Sequence, residues 1–162
     1  MPRSIVPVAL LLLLAAAEAR AQEPVVGASD PDSLFHSSDP GLDRNKQAAY
    51  HIEKDLLEAG HWEMADQWLT ERYIQHNPNA ASGRAGVVDY FTKVLKVVPK
   101  PIAAKLARPV VAVIAESDYV VVVTPRTLED PKDPSRKYTT TWFDMWRFSD
   151  GKADEHWDGA TK

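Results

Sequence analysis

Cysteine is absent from this 162-residue chain. Disulfide staples, zinc–thiolate sites and cysteine nucleophiles are excluded with it. A basic excess is lacking too. The whole chain carries a net charge of −4; without residues 1–21, which include Arg3, Arg20 and Glu18, 17 basic and 22 acidic residues remain, a net charge of −5. A mildly acidic surface argues against nucleic acid, whose phosphates need a basic patch. Beyond the N-terminal stretch no apolar run is long enough to cross a membrane. No internal repeat is present. What remains is enough chain for one domain whose core needs no staples.

The first residues form a separate unit. Arg3 supplies a positive start, residues 5–17 are almost unbroken apolar, and Ala19-Arg20-Ala21 places small residues at −3 and −1 before Gln22. This three-part pattern predicts a secretory signal peptide over residues 1–21. A transmembrane anchor is the alternative, but the run is short for a hydrocarbon core of about 30 Å. The chain is therefore expected to be exported, to a periplasm or to the medium.

Residues 22–43 hold Pro24, Gly27, Pro31, Pro40 and Gly41 among Ser and Asp, and read as a flexible segment. Asp43 is a candidate N-cap for a first helix with Ala48, Ile52 and Leu56 on one face, ended by Gly60. A second helix is expected from Trp62 to about Arg72, then a short strand over residues 73–78. Ser82-Gly83-Arg84 opens a third helix with an apolar face including Val87, Val88 and Phe91. After Leu106 β-branched runs take over: a hairpin over residues 110–123, a Pro- and charge-rich loop over 128–136, and a last hairpin over 137–158. Three helices followed by an antiparallel meander define an α+β domain over residues 44–162. A twisted sheet folded over helices leaves a cavity on its concave face.

The last hairpin carries the chemistry. Reading Ser149-Asp150-Gly151 as a three-residue turn pairs Trp146 with Asp154, Asp144 with His156 and Trp142 with Asp158. Paired side chains share a face. One face then holds Trp142, Asp144, Trp146, Asp154, His156 and Asp158, and the other Phe143, Met145, Arg147, Ala153, Glu155 and Trp157. A two-residue turn would shift the register by one and separate Asp144 from His156. A carboxylate beside an imidazole in an apolar pocket suits general acid/base work. It equally suits a buried structural pair. Trp142 and Trp146 suit either an aromatic wall or plain core packing, and Tyr73 is open in the same way.

Two motifs carry a resemblance. Tyr73-Ile74-Gln75-His76-Asn77-Pro78, followed by Gly83-Arg84 and the Phe91 helix, resembles the opening signature of the SnoaL-like polyketide cyclases of the NTF2-like superfamily. Phe143-Asp144-Met145-Trp146-Arg147-Phe148, Asp150-Gly151-Lys152 and Glu155-His156-Trp157-Asp158 resemble its closing signature. The resemblance implies a cone of three helices wrapped by a curved antiparallel sheet, a homodimer, and catalysis without a metal or organic cofactor. It matches Asp158 to the general acid/base of intramolecular aldol ring closure, with His156 and Asp144 as catalytic neighbours. His76 and Asn77 match polar residues lining the cone, where they would steady a carbonyl oxygen; a histidine before Asn-Pro also suits a simple turn hydrogen bond. Tyr73, Trp142 and Trp146 would complete the substrate pocket.

Two functions from different classes follow. One is cofactor-free acid/base chemistry next to a carbonyl of a hydrophobic small molecule: aldol-type cyclisation, isomerisation or dehydration. The other, suggested by export, is a non-catalytic protein that binds such a molecule and returns it unchanged.

Overall fold

The computed structural model describes residues 22–162; the expected signal peptide, residues 1–21, lies outside them. The N-terminal segment is packed, contrary to the expectation of a flexible arm. Val25 N–H donates to Thr139 Oγ1 at 2.7 Å, and Ala28 N–H to the Val110 carbonyl at 2.7 Å. A 3-10 turn, Pro31–Phe35, delivers Phe35 into the core with no exposed surface. Apolar burial of one aromatic ring is enough to hold such a segment down.

Helix α1, Pro40–His51, starts earlier than its spacing suggested. Asp39, not Asp43, is the N-cap: its Oδ1 accepts from Gly41 N–H at 2.8 Å and Leu42 N–H at 2.9 Å, with Pro40 in the first turn. Asp43 instead accepts from Ser37 N–H. The helix widens into a π-helical stretch, Ile52–Glu58, before Gly60 (φ 81°) ends it. Helix α2 is a single turn, Ala65–Trp68, entered through a 3-10 turn, Trp62–Met64. The chain becomes extended at Leu69, so the expected helix to Arg72 is instead the first half of strand β1, Leu69–Gln75. Pairing with the last strand outweighs helical spacing here: Leu69 lies opposite Ala153 and Gln75 opposite His156. Helix α3, Arg84–Asp89, continues as a π-helical stretch, Tyr90–Val94.

Strands β2 (Ala112–Glu116), β3 (Tyr119–Asp130), β4 (Asp133–Ser149) and β5 (Lys152–Trp157) form the antiparallel meander. The expected loop over residues 128–136 is no loop. The hairpin continues to a tight turn at Pro131-Lys132, with Leu128 opposite Tyr138. Together the strands build a curved, unclosed mixed sheet in the order β1-β5-β4-β3-β2, with β1 parallel to β5. The helices cover its concave face, where Phe35, Ile52, Leu56, Leu69, Val120, Val122, Trp146 and Phe148 make the core. No described helix is long and apolar enough to cross a membrane. The result is the expected α+β cone.

The final hairpin corrects the register. Its turn has two residues, Asp150 (φ 49°) and Gly151 (φ 76°), the left-handed pair an Asp-Gly sequence favours. Ser149 pairs with Lys152 and Phe148 with Ala153, but Arg147 pairs with Glu155, so Asp154 is an extra residue in a bulge. The turn shifts alternation by one residue and the bulge shifts it by one more. Asp144, Trp146 and His156 therefore keep a common face, with His156 opposite Trp146. Ala153 turns into the core, fully buried, and Asp154 turns away from the pocket.

Candidate active site

Helices and sheet enclose a cavity of about 200 Å³. Six aromatic side chains line it: Trp62, Tyr73, Tyr90, Phe91, Trp142 and Trp146. Trp62 stacks on Phe91 with ring centres 3.8 Å apart, which joins two helical segments, the 3-10 turn before α2 and the π-helical stretch after α3, at the cavity wall.

Asp144, His156 and Asp158 meet on one wall, with one polar atom from each within 4.8 Å of the others. His156 is buried; its Nε2 lies 3.1 Å from Asp144 Oδ1 and its Nδ1 lies 2.8 Å from Gln75 Oε1. Gln75 Oε1 also accepts from the Asn77 backbone N–H at 3.1 Å, which fixes that amide atom as an oxygen. An oxygen can only accept, so His156 carries a proton on Nδ1. The contact to Asp144 then needs one more proton, on Nε2 or on the carboxyl. The pair is a proton store facing the cavity.

Asp158 is held differently. Its Oδ2 accepts from Asn77 Nδ2 at 2.8 Å and its Oδ1 from Ala160 N–H at 2.9 Å. Asn79 N–H donates to Asn77 Oδ1 at 2.9 Å, which orients that amide with its NH2 toward Asp158. These bonds fix the orientation of the carboxyl group at the cavity wall. Two carboxylates and an imidazole have the donor types of a metal site; here both nitrogens of His156, both oxygens of Asp158 and Asp144 Oδ1 have protein partners.

Tyr73 lies beside them, with its ring stacked at 6.4 Å on that of His156. Its hydroxyl accepts from Trp146 Nε1 at 3.1 Å. Among the described residues nothing accepts its own proton. Burial pushes the phenol above its ordinary range, so it stays a donor.

Seven of the eight residues singled out from sequence line this cavity: Asp158, His156, Asp144, Asn77, Tyr73, Trp142 and Trp146. His76 does not. It stacks on Trp157 at 5.0 Å on the outer face and contacts Glu155 Oε1 at 2.8 Å. Strand alternation is the cause: Tyr73, Gln75 and Asn77 face inward, and His76 faces outward. Asn77 spends its amide on Asp158, so it supports a carboxylate where a contact to a substrate carbonyl was expected. Asp154, placed on the pocket face by the three-residue turn, is bound outside by Arg72, Arg147 and Thr70.

Sequence reasoning missed three residues. Gln75 shares the inward parity of Tyr73, a signal available in the motif. Glu53 and Arg108 were hidden. Glu53 sits in the π-helical stretch with no exposed surface, and its Oε2 accepts from Arg108 Nη1 at 2.6 Å. Burial, opposed by Arg108 and reinforced by Asp144, pushes Glu53 up to about 7. Arg108 comes from the irregular segment before β2 and reaches the cavity wall.

No curated protein matches this chain significantly in sequence. Among solved structures, the cone resembles a protein provisionally named a polyketide cyclase from Acidithiobacillus ferrooxidans, at 16% identity and a TM-score of 0.52, over 71% of this chain and 86% of that one. A counterpart with the same provisional name from Bacillus cereus matches at 19% identity and a TM-score of 0.51, over 86% and 87%. A protein of unknown function with a cystatin-like fold from Xanthomonas campestris matches at 16% and 0.51, over 73% and 91%. At these identities the likeness is one of fold. The SnoaL-like domain model matches residues 48–156, from the first helix through His156, and the chain belongs to that family.

Proposed function

We propose that this protein is a general acid/base catalyst acting next to a carbonyl of an apolar small molecule, by aldol-type ring closure, isomerisation or dehydration. One observation carries the reading: Asp158, with both oxygens accepting hydrogen bonds, and the proton-sharing Asp144–His156 pair lie within 4.8 Å on the wall of an aromatic-lined cavity. Base and acid side by side are what proton removal from one atom and delivery to another require. The family and the polyketide cyclase names of its structural neighbours agree with that class.

In this reading the substrate carbonyl oxygen accepts from the Tyr73 hydroxyl. Asp158 takes a proton from the adjacent carbon, and the charge that develops on oxygen is met by that fixed donor. In ring closure the carbanion carbon bonds to a second carbonyl carbon of the same molecule, whose oxygen receives the proton held between His156 and Asp144. In dehydration the same proton leaves with hydroxide as water. In isomerisation it returns to a different carbon. Exchange with solvent moves the proton from Asp158 back to the pair. The side chains suffice for these steps without a cofactor, so turnover should persist in a chelator; loss that metal restores would place an ion at the triad.

Asp158→Asn tests the reading. It should lower turnover by roughly 10²- to 10⁴-fold while folding and ligand affinity survive, and unchanged turnover would overturn it. A thermal-shift ligand screen with mass spectrometry of what binds separates the alternative: a ligand returned intact by the unmutated protein marks a binding protein.

We also place the mature protein outside the cytoplasm, on the strength of the N-terminal pattern, with Gln22 as its first residue. N-terminal sequencing after expression in its host checks this, and an intact Met1 contradicts it. A homodimer through the outer sheet face is part of the same proposal. Ile114, Val121, Met145 and Trp157 form a cross-strand apolar row there, beside Phe143, which is 52% exposed. Sedimentation of Met145→Lys as monomer and of the parent as dimer is the expected result.

A further inference from the structure

Arg108 is the one lysine or arginine among the described residues that line the cavity, and its position is built at both ends. Its backbone N–H donates to Glu58 Oε2 at 2.7 Å. Its Nη1 donates to Glu53 Oε2 at 2.6 Å, on a carboxylate with no exposed surface whose other oxygen has no partner among the described residues. A guanidinium has five N–H donors in a planar fork. One is used by Glu53, and the others have no acceptor among the described residues, while the side chain keeps 32% of its surface accessible. A buried acid that holds an arginine by one nitrogen, leaving the rest of the fork free at a cavity wall, matches how proteins present arginine to a planar oxyanion.

From this geometry we infer that the cavity takes a single-ring organic acid, with the ligand's carboxylate on Arg108 and its ring between the aromatic walls. The inference rests on the reading that this cavity is the substrate site and names the substrate class. Size and charge both support it. A cavity of about 150 Å³ holds benzene, so about 200 Å³ takes one six-membered ring with a carboxylate and a small substituent. A fused three-ring skeleton is too large to be enclosed. Asp144 and Asp158 repel an anion, so an acid binds in one direction only: carboxylate toward Arg108, uncharged end toward Asp158 and Tyr73. That orientation brings the carbon to be deprotonated to the base, so Arg108 acts as a specificity residue.

The test uses benzoate and its neutral isostere benzamide as probes, titrated by NMR or calorimetry into the mature protein at fixed ionic strength. Benzoate is expected to bind roughly 10- to 100-fold more tightly, the range of a charge-assisted hydrogen-bonded pair. In E53Q/R108Q, which leaves no buried unpaired charge, benzoate should lose that advantage while benzamide binds as before. Unaltered benzamide affinity shows that the cavity is intact in the variant. Equal binding of the two probes, no binding of either, or a preference that survives in E53Q/R108Q overturns the inference. Because no turnover is read, this outcome is separate from that of Asp158→Asn, which should keep the benzoate preference even if it proves inactive or unaltered.

Discussion

Tyr73 shows how much one buried oxygen carries. It accepts from the Trp146 indole and offers its own proton to the cavity, so Tyr73→Phe should have two separable effects. Leaving Trp146 Nε1 unpaired costs about 1–3 kcal/mol of stability, read by urea denaturation. Losing the donor to the developing oxyanion should cost turnover roughly 10²-fold, with KM moved far less. A wholly structural Tyr73 would change stability alone. At this scale the sequence was legible wherever strand parity applied. Tyr73 and Asn77 are inward because alternate residues of a strand share a face, and the same rule turns His76 outward against Trp157. Glu53 was illegible for a physical reason: a Glu-Lys-Asp run on a helix ordinarily faces water, and only the widened π-helical turn buries all three residues.

Among the elements, the order of helices and strands could be read from apolar period and β-branched runs, and so could the inward set on the last hairpin apart from Ala153 and Asp154, whose faces the two-residue turn and the bulge exchange. Boundaries could not. The stretch from Leu69 to Arg72 reads as helix because Trp68 and Leu69 keep helical spacing with Ala65, and only the parallel partner β5 makes it strand. Residues 128–136 contain two prolines, yet hairpin pairing continues, through a register shift that leaves residues 134–136 without partners, to a turn of two residues. The N-terminal segment looks disordered by composition, but one aromatic anchor decides its fate. Phe35→Ala should cost about 3–5 kcal/mol in equilibrium unfolding, and should free the residues before it to proteolysis. A change below about 1 kcal/mol would mean that the segment is an appendage.

The whole molecule has two acid-linked stabilities that oppose each other. Glu53 is raised to about 7, so the folded state keeps a proton that the unfolded chain releases above about 4.5. Its contribution is fully present below that pH and is lost as pH climbs toward 7. Thermal stability in that window should fall more steeply in the parent than in E53Q. Asp154 behaves in the opposite sense. Arg72 first, then Thr70 and Arg147, hold it down to about 2, so its contribution is present above about 4 and disappears as acid approaches pH 2. Asp154→Asn should be less stable at neutral pH and should lose less on acidification. The bulge that houses Asp154 has a consequence for chain length. Because it is the surplus residue between Ala153 and Glu155, its deletion closes the ladder into regular alternation with His156 still pointing inward. Adding a residue at the same place also restores alternation, but it carries the imidazole two residues along β4, from opposite Trp146 to opposite Asp144, and out of register with Gln75. The hairpin should therefore tolerate a shortening by one codon and reject a lengthening by one. A chain lacking Asp154 should keep its turnover and give up only the stability that this carboxylate contributes above about pH 4, whereas one with an alanine inserted after Asp154 should fold and be inert.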